Sequence, residues 1–157
     1  MLLFLVFFSL AAGAGPVFAQ RAGADAQNLA ACLKKASDQG EFGANCIGIV
    51  ADPCIANAMK QKSYWEDSKA CANREFAIWN DLMGRALRAI EKAGGKDIKP
   101  IVAEAQKSFL QSRDKLCPIF DGLDPGMAPG GANYCRLQET ARRVLSLQRL
   151  AAALGQH

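Results

Sequence analysis

Six cysteines, one histidine and a few closely spaced carboxylates are the residues of this 157-residue chain with chemistry to offer. The cysteines are Cys32, Cys46, Cys54, Cys71, Cys117 and Cys135. No Cys-x-x-Cys occurs, and the only histidine is His157, the last residue. Structural zinc is held by paired Cys/His ligands at short spacing, so neither zinc nor any other metal is expected here. An even cysteine count in a small exported chain reads as a disulfide framework, and three bridges are expected. Asp121 and Asp124 have the types of a glycosidase carboxylate pair. Nothing in their sequence surroundings sets one apart as the acid and the other as the base. With no internal imidazole, no metal and all thiols in bridges, a nucleophile lacks a base. The inventory points to no enzyme, no cofactor, and a protein that acts by binding.

The compartment follows from the N-terminus. Met1 to Ala19 has no charged side chain, and Leu2 to Leu10 is a dense apolar run. Gly13, Gly15 and Pro16 interrupt it before it could span a bilayer. Val17 and Ala19 suit the −3 and −1 sites of signal peptidase, so residues 1–19 are expected to be a cleaved signal peptide. The mature chain is then periplasmic or secreted, with no membrane segment. Its formal charge of +4 is mildly basic and scattered, without an aromatic–basic patch, so nucleic acid is not an expected partner. Weak attraction to anionic cell-wall polymers is allowed by that charge.

The elements that position these residues read as helices. Ala26, Leu29, Ala30, Cys32, Leu33 and Ala36 recur at helical spacing, with Asp25 as a cap and Gly40 after the end. Cys46 to Cys54 is rich in Ile and Val, but no partner strand exists elsewhere, so a short helix is expected. A long helix is expected over 66–92, with Cys71, Glu75, Ile78, Trp79, Leu82, Ala86 and Ile90 on one stripe. Gly94-Gly95 ends it. The next helix, capped by Asp97, should bury Ile98, Ile101, Val102, Ala105, Phe109, Ser112 and Leu116 and stop at Cys117-Pro118. A Gly/Pro-dense loop over 121–131 follows. The last helix should run over 133–154 and bury Leu137, Thr140, Ala141, Val144, Leu147, Ala151 and Leu154. The fold class is all-α: a disulfide-stapled antiparallel bundle of three main helices plus short N-terminal helices. It divides into the signal over 1–19, a cysteine-containing helical extension over 20–65, and a helical domain over 66–157.

Cys117 and Cys135 flank the Gly/Pro loop at a helix end and a helix start, which favours bridging them. Closing such a loop stabilises by about 3 kcal/mol in the chain-entropy model. Cys54–Cys71 and Cys32–Cys46 are the favoured remainder, with exchanges among these four left open. A loop held at both ends on a rigid scaffold is the natural place for function. Asp121, Asp124, Gly130 and Gly131 therefore form the candidate binding loop. Tyr64 and Trp65, just ahead of a helix, are a secondary candidate, since Tyr and Trp dominate interface hot spots. Trp79 reads as core.

The chain also resembles a known family. Ala70-Cys71-Ala72 with Glu75, Asp81-Leu82, Ala105-Gln106 with Phe109, Arg113-Asp114 and Cys117, then Gly130-Gly131, Cys135, Thr140, Arg143 and Leu147 are similar to the lysozyme inhibitor LprI N-terminal-like family of bacterial envelope proteins. The likeness covers Ala70 to Leu150. It departs at Met83, where the family tends to have Asn, at Ala86, where it tends to have Tyr, and at Phe109, where it usually has Trp. The resemblance implies a small exported helical domain whose partner is lysozyme or, in an alternative role, peptidoglycan or another envelope protein. Of the motif residues, Glu75, Gln106, Phe109, Arg113, Asp114, Thr140 and Arg143 are expected to tie helices together. Arg113 is expected to reach a carboxylate such as Glu75 on the neighbouring helix.

Overall fold

The computed structural model describes residues 16–155. Most of the expected signal segment and His157 lie outside them. Among the described residues there are five α-helices and no strand: α1 (Pro16–Asp38), α2 (Ala51–Ala58), α3 (Tyr64–Ala93), α4 (Gly95–Leu116) and α5 (Gly131–Leu154). Short 3₁₀ turns lie at Ala44–Cys46 and Cys117–Gly122. The fold is all-α and stapled by disulfides Cys32–Cys46, Cys54–Cys71 and Cys117–Cys135. No described helix is long and apolar enough to cross a membrane.

The centre is the pair α3 and α5. On α3, Ser68, Cys71, Ala72, Glu75, Trp79, Met83, Ala86 and Ile90 are buried at three- and four-residue steps. On α5 the same spacing buries Leu137, Thr140, Ala141, Val144 and Leu147. That is the amphipathic stripe of a helix facing a core. Trp79 is wholly enclosed, and burying so large a ring contributes about 3 kcal/mol or more to the fold. Contacts of residue 106 with 83 and of 113 with both 76 and 140 run the helices up, down and up. Leu29, Ala36, Cys46, Ala51 and Ile55 of the N-terminal elements enter the same core as α3 and α5.

Three helical readings need correction. Asp97 is not the cap of α4, which begins at Gly95 behind Gly94 and holds Asp97 in its first turn. Asp25 caps nothing: α1 has already begun at Pro16, and Asp25 sits in its interior. α4 is rotated relative to its expected buried face. Ile101 is 65% exposed, and Ala105, Ser112 and Leu116 also face outward. The inward line is Val102, Gln106, Phe109, Leu110 and Arg113. Polar residues occupy that seam, so hydropathy periodicity misplaces it.

Candidate binding site

Glu75 is fully buried, yet it does not meet Arg113. Its Oε1 accepts the Gly48 N–H at 2.7 Å and the Trp79 indole N–H at 2.9 Å. Its Oε2 accepts the Val50 and Ala51 N–H groups, each at 2.8 Å. These are donors at and just before the start of α2, where unpaired N–H groups and the helix dipole favour an anion. Gly48 makes the approach possible with φ of 93°, and a side chain there would run into the Asp52 carboxylate. Glu75 is therefore a structural anion that fastens the segment 48–51 to α3.

Arg113 instead bridges α4 to α5. Its Nη1 donates to Thr140 Oγ1 at 3.0 Å, while Nε and Nη2 donate to Asp114 Oδ1. Asp114 thus holds the guanidinium at the angle that reaches Thr140. One turn away, Arg143 Nε donates to Gln106 Oε1 at 3.1 Å, and Gln106 Nε2 reaches Met83 Sδ at 3.2 Å. Both guanidinium groups lie over the Phe109 ring. Burial lowers the Arg143 pKa from its ordinary value by desolvation. These seven residues join three helices by side-chain hydrogen bonds and cation–π stacking, which fixes their register. Gln106 and Asp114 also edge an open depression lined by Leu87, Val102 and Leu110, while the polar groups of the network are engaged with one another.

The Gly/Pro loop is different. Asp121 Oδ1 accepts the Ala132 N–H at 3.1 Å in the first turn of α5 and lies 3.5 Å from Lys69 Nζ. Asp124 Oδ1 accepts the Gly126 N–H at 2.8 Å, and the Asp124 carbonyl accepts from Met127 and Ala128. The loop is closed by Cys117–Cys135 and by its own hydrogen bonds, with Met127 83% exposed. The second candidate, Trp65, comes to the same place: Gly131 rests against its ring, and Lys69 stacks on that ring at 4.8 Å. Tyr64 and Trp65 are half-buried.

Gly131 has φ of 50°, and an added Cβ would fall 2.9 Å from the Trp65 ring and against Asp121. Gly131→Ala is expected to destabilise by about 1–3 kcal/mol through strain and the displaced ring. Thermal unfolding measures it, and an unchanged midpoint would show that Trp65 moves freely.

Three pairings have no counterpart in the sequence reading. Arg74 forks onto Asp25 at 2.7–3.0 Å, joining α3 to α1. Lys69 meets Asp121. Tyr134 donates to Asp52 at 2.6 Å, joining α5 to α2. Burial, then the hydrogen bond and charge of Asp52, raise the Tyr134 pKa from 10.0 to about 12. The fold therefore favours the neutral phenol. That contribution is complete below pH 10 and fades as pH rises towards 12. Alkaline unfolding should lose this pH-dependent component in Tyr134→Phe, and a variant with the wild-type alkaline profile would assign the slope to other groups.

Together these features define a small, disulfide-stapled all-α scaffold that displays a braced loop. The family model for the lysozyme inhibitor LprI matches residues 54–147, more than half of the chain. The chain belongs to the LprI lysozyme inhibitor family. No solved structure matches it. The family and the three disulfides mark an exported protein.

Proposed function

We propose that the protein inhibits a muramidase by binding it, with the loop over 121–131 as the inhibitory element, and that it works in the periplasm or outside the cell. The observation that carries this reading is the braced loop: closed by a disulfide, hydrogen-bonded within itself and tipped by an exposed methionine. A preorganised loop loses little conformational entropy when it docks. Family membership supports lysozyme as the target and binding as the mode of action.

Charge fits as well. Lysozymes are commonly basic, and steering favours an acidic partner, whereas this chain is net +4. Yet Cys117 to Gly131 holds two aspartates and no basic residue. The loop is a local acidic element on a basic protein. Internal hydrogen bonds engage only Oδ1 of Asp121 and Asp124, so each carboxylate keeps a second oxygen for a partner.

The test is a muramidase assay with the oxidised mature protein. Inhibition that saturates with added protein is expected. Lysozyme activity unchanged at high micromolar protein would end the inhibitor reading.

A further inference from the structure

We infer that the docking surface extends beyond the loop onto the outward side of the 3₁₀ helix Cys117–Gly122 and the end of α4, and that it fits a basic protein offering an apolar depression, as in the cleft of a basic lysozyme. The inference rests on the inhibitor reading and deepens it.

The argument begins with the 3₁₀ period. Side chains three residues apart stack on one side of such a helix. Cys117 and Phe120 take the inner side and pack with Ala132 and Cys135. Leu116 and Ile119 are left on the outer side, 45% and 62% exposed. Leu123 follows at 43% and Met127 at 83%. Among the described residues nine large hydrophobic side chains are exposed, and four of them fall within 116–127. Scattered exposed hydrophobics are ordinary, but such a concentration in one short segment marks an interaction surface.

Rigidity and charge then choose the occupant. The segment is fixed from beneath by the disulfide and from its end by the Asp121 cap on α5. Its apolar residues are therefore presented in place, as hot-spot anchors are. Of the acids among them, Asp121 already meets Lys69, whereas Asp124 is in no ion pair among the described residues, so Asp124 complements a basic rim and disfavours an acidic polymer. An apolar centre with an acidic margin is the complement of a basic cleft with apolar walls, and a protein supplies both where a glycan strand does not.

The experiment measures binding to an immobilised basic lysozyme, with muramidase inhibition assayed on the same samples. Ile119→Asp and the milder Ile119→Ala are compared with Ile101→Asp, which alters an equally exposed apolar residue outside that segment, on α4. Ile119→Asp is expected to weaken binding at least roughly tenfold, Ile119→Ala by a few-fold, and Ile101→Asp by less than about twofold. Asp124→Asn keeps an acceptor for Gly126 and removes the charge, so it should slow association and flatten its salt dependence. Circular dichroism checks that each variant is folded. If Ile119→Asp binds and inhibits like the wild type, the extended surface is wrong and the inhibitor reading stands. Binding that is sensitive to Ile119 but leaves muramidase active supports the surface and removes the inhibitor reading. A wild type that does not bind overturns both.

Discussion

Glu75→Gln is expected to destabilise the protein by about 3 kcal/mol or more, although the side chain keeps its size. Each carboxylate oxygen accepts two N–H donors: Gly48 and Trp79 on one, Val50 and Ala51 on the other. The amide oxygen of Gln can serve one pair. Its NH₂ group then faces the other pair donor to donor, in a site with no solvent access to the side chain. Two buried donors lose their partner at about 1–3 kcal/mol each, and the anion that complements the start of α2 is gone. Glu75→Ala should fare worse, since it strips all four donors and opens a cavity beside Trp79. Urea unfolding with tryptophan fluorescence reads both effects. A loss below about 1 kcal/mol in Glu75→Gln would mean that segment 48–51 relaxes away from α3 without consequence, and the anchoring role would be wrong.

Glu75 also shows where the sequence was legible and where it was not. A carboxylate in the middle of the stripe Cys71, Trp79, Ala86 and Ile90 must be buried, and a buried carboxylate needs donors. That much could be read. The donors are backbone N–H groups 24 to 27 residues earlier, and main-chain groups leave no mark in residue types. Arg113 was the visible cation, so it attracted the expectation. The true signal was fainter: Gly48 ahead of a helix start, with Trp79 four residues beyond Glu75.

The same logic separates α3 and α5 from α4. The first two bury apolar side chains, so their stripes show in hydropathy. α4 lies against its neighbours through Gln106, Phe109 and Arg113, whose hydrogen bonds and stacking carry the seam. A stripe drawn through its hydrophobic residues shares Ile98, Val102 and Phe109 with the real one but is centred roughly 60° away from it. That error hid Leu116 as a surface residue and, with it, the apolar segment 116–127. The loop itself was legible, because Gly and Pro density and flanking cysteines are local signals. Its bracing by Trp65 and Lys69 was not, since that is a tertiary contact across more than fifty residues.

Removing the loop disulfide as Cys117→Ala/Cys135→Ala should separate function from fold. The two cysteines belong to a satellite cluster that contains only Ala132 and Phe120 besides. The other two bridges put their cysteines in or against the main core. Losing the Cys117–Cys135 bridge therefore removes about 3 kcal/mol of restraint on the unfolded chain, while the packing of Trp79, Leu137 and Val144 is untouched. The bundle should keep its helicity and melt several degrees lower. The 3₁₀ helix should fray, because a half-buried Phe120 and the contacts of Asp121 with Ala132 and Lys69 are what remain to hold it, while Trp65 and Lys69 still hold the first turn of α5. Docking must then order the loop at the moment of binding, and inhibition should weaken at least roughly tenfold. Limited proteolysis would show new cuts between residues 117 and 131 in the variant. Collapse of the whole helical signal would show that the satellite cluster is part of the global core. Full inhibitory potency in a folded variant whose loop is cut by protease would show that bracing contributes nothing, and would move the inhibitory element elsewhere on the bundle.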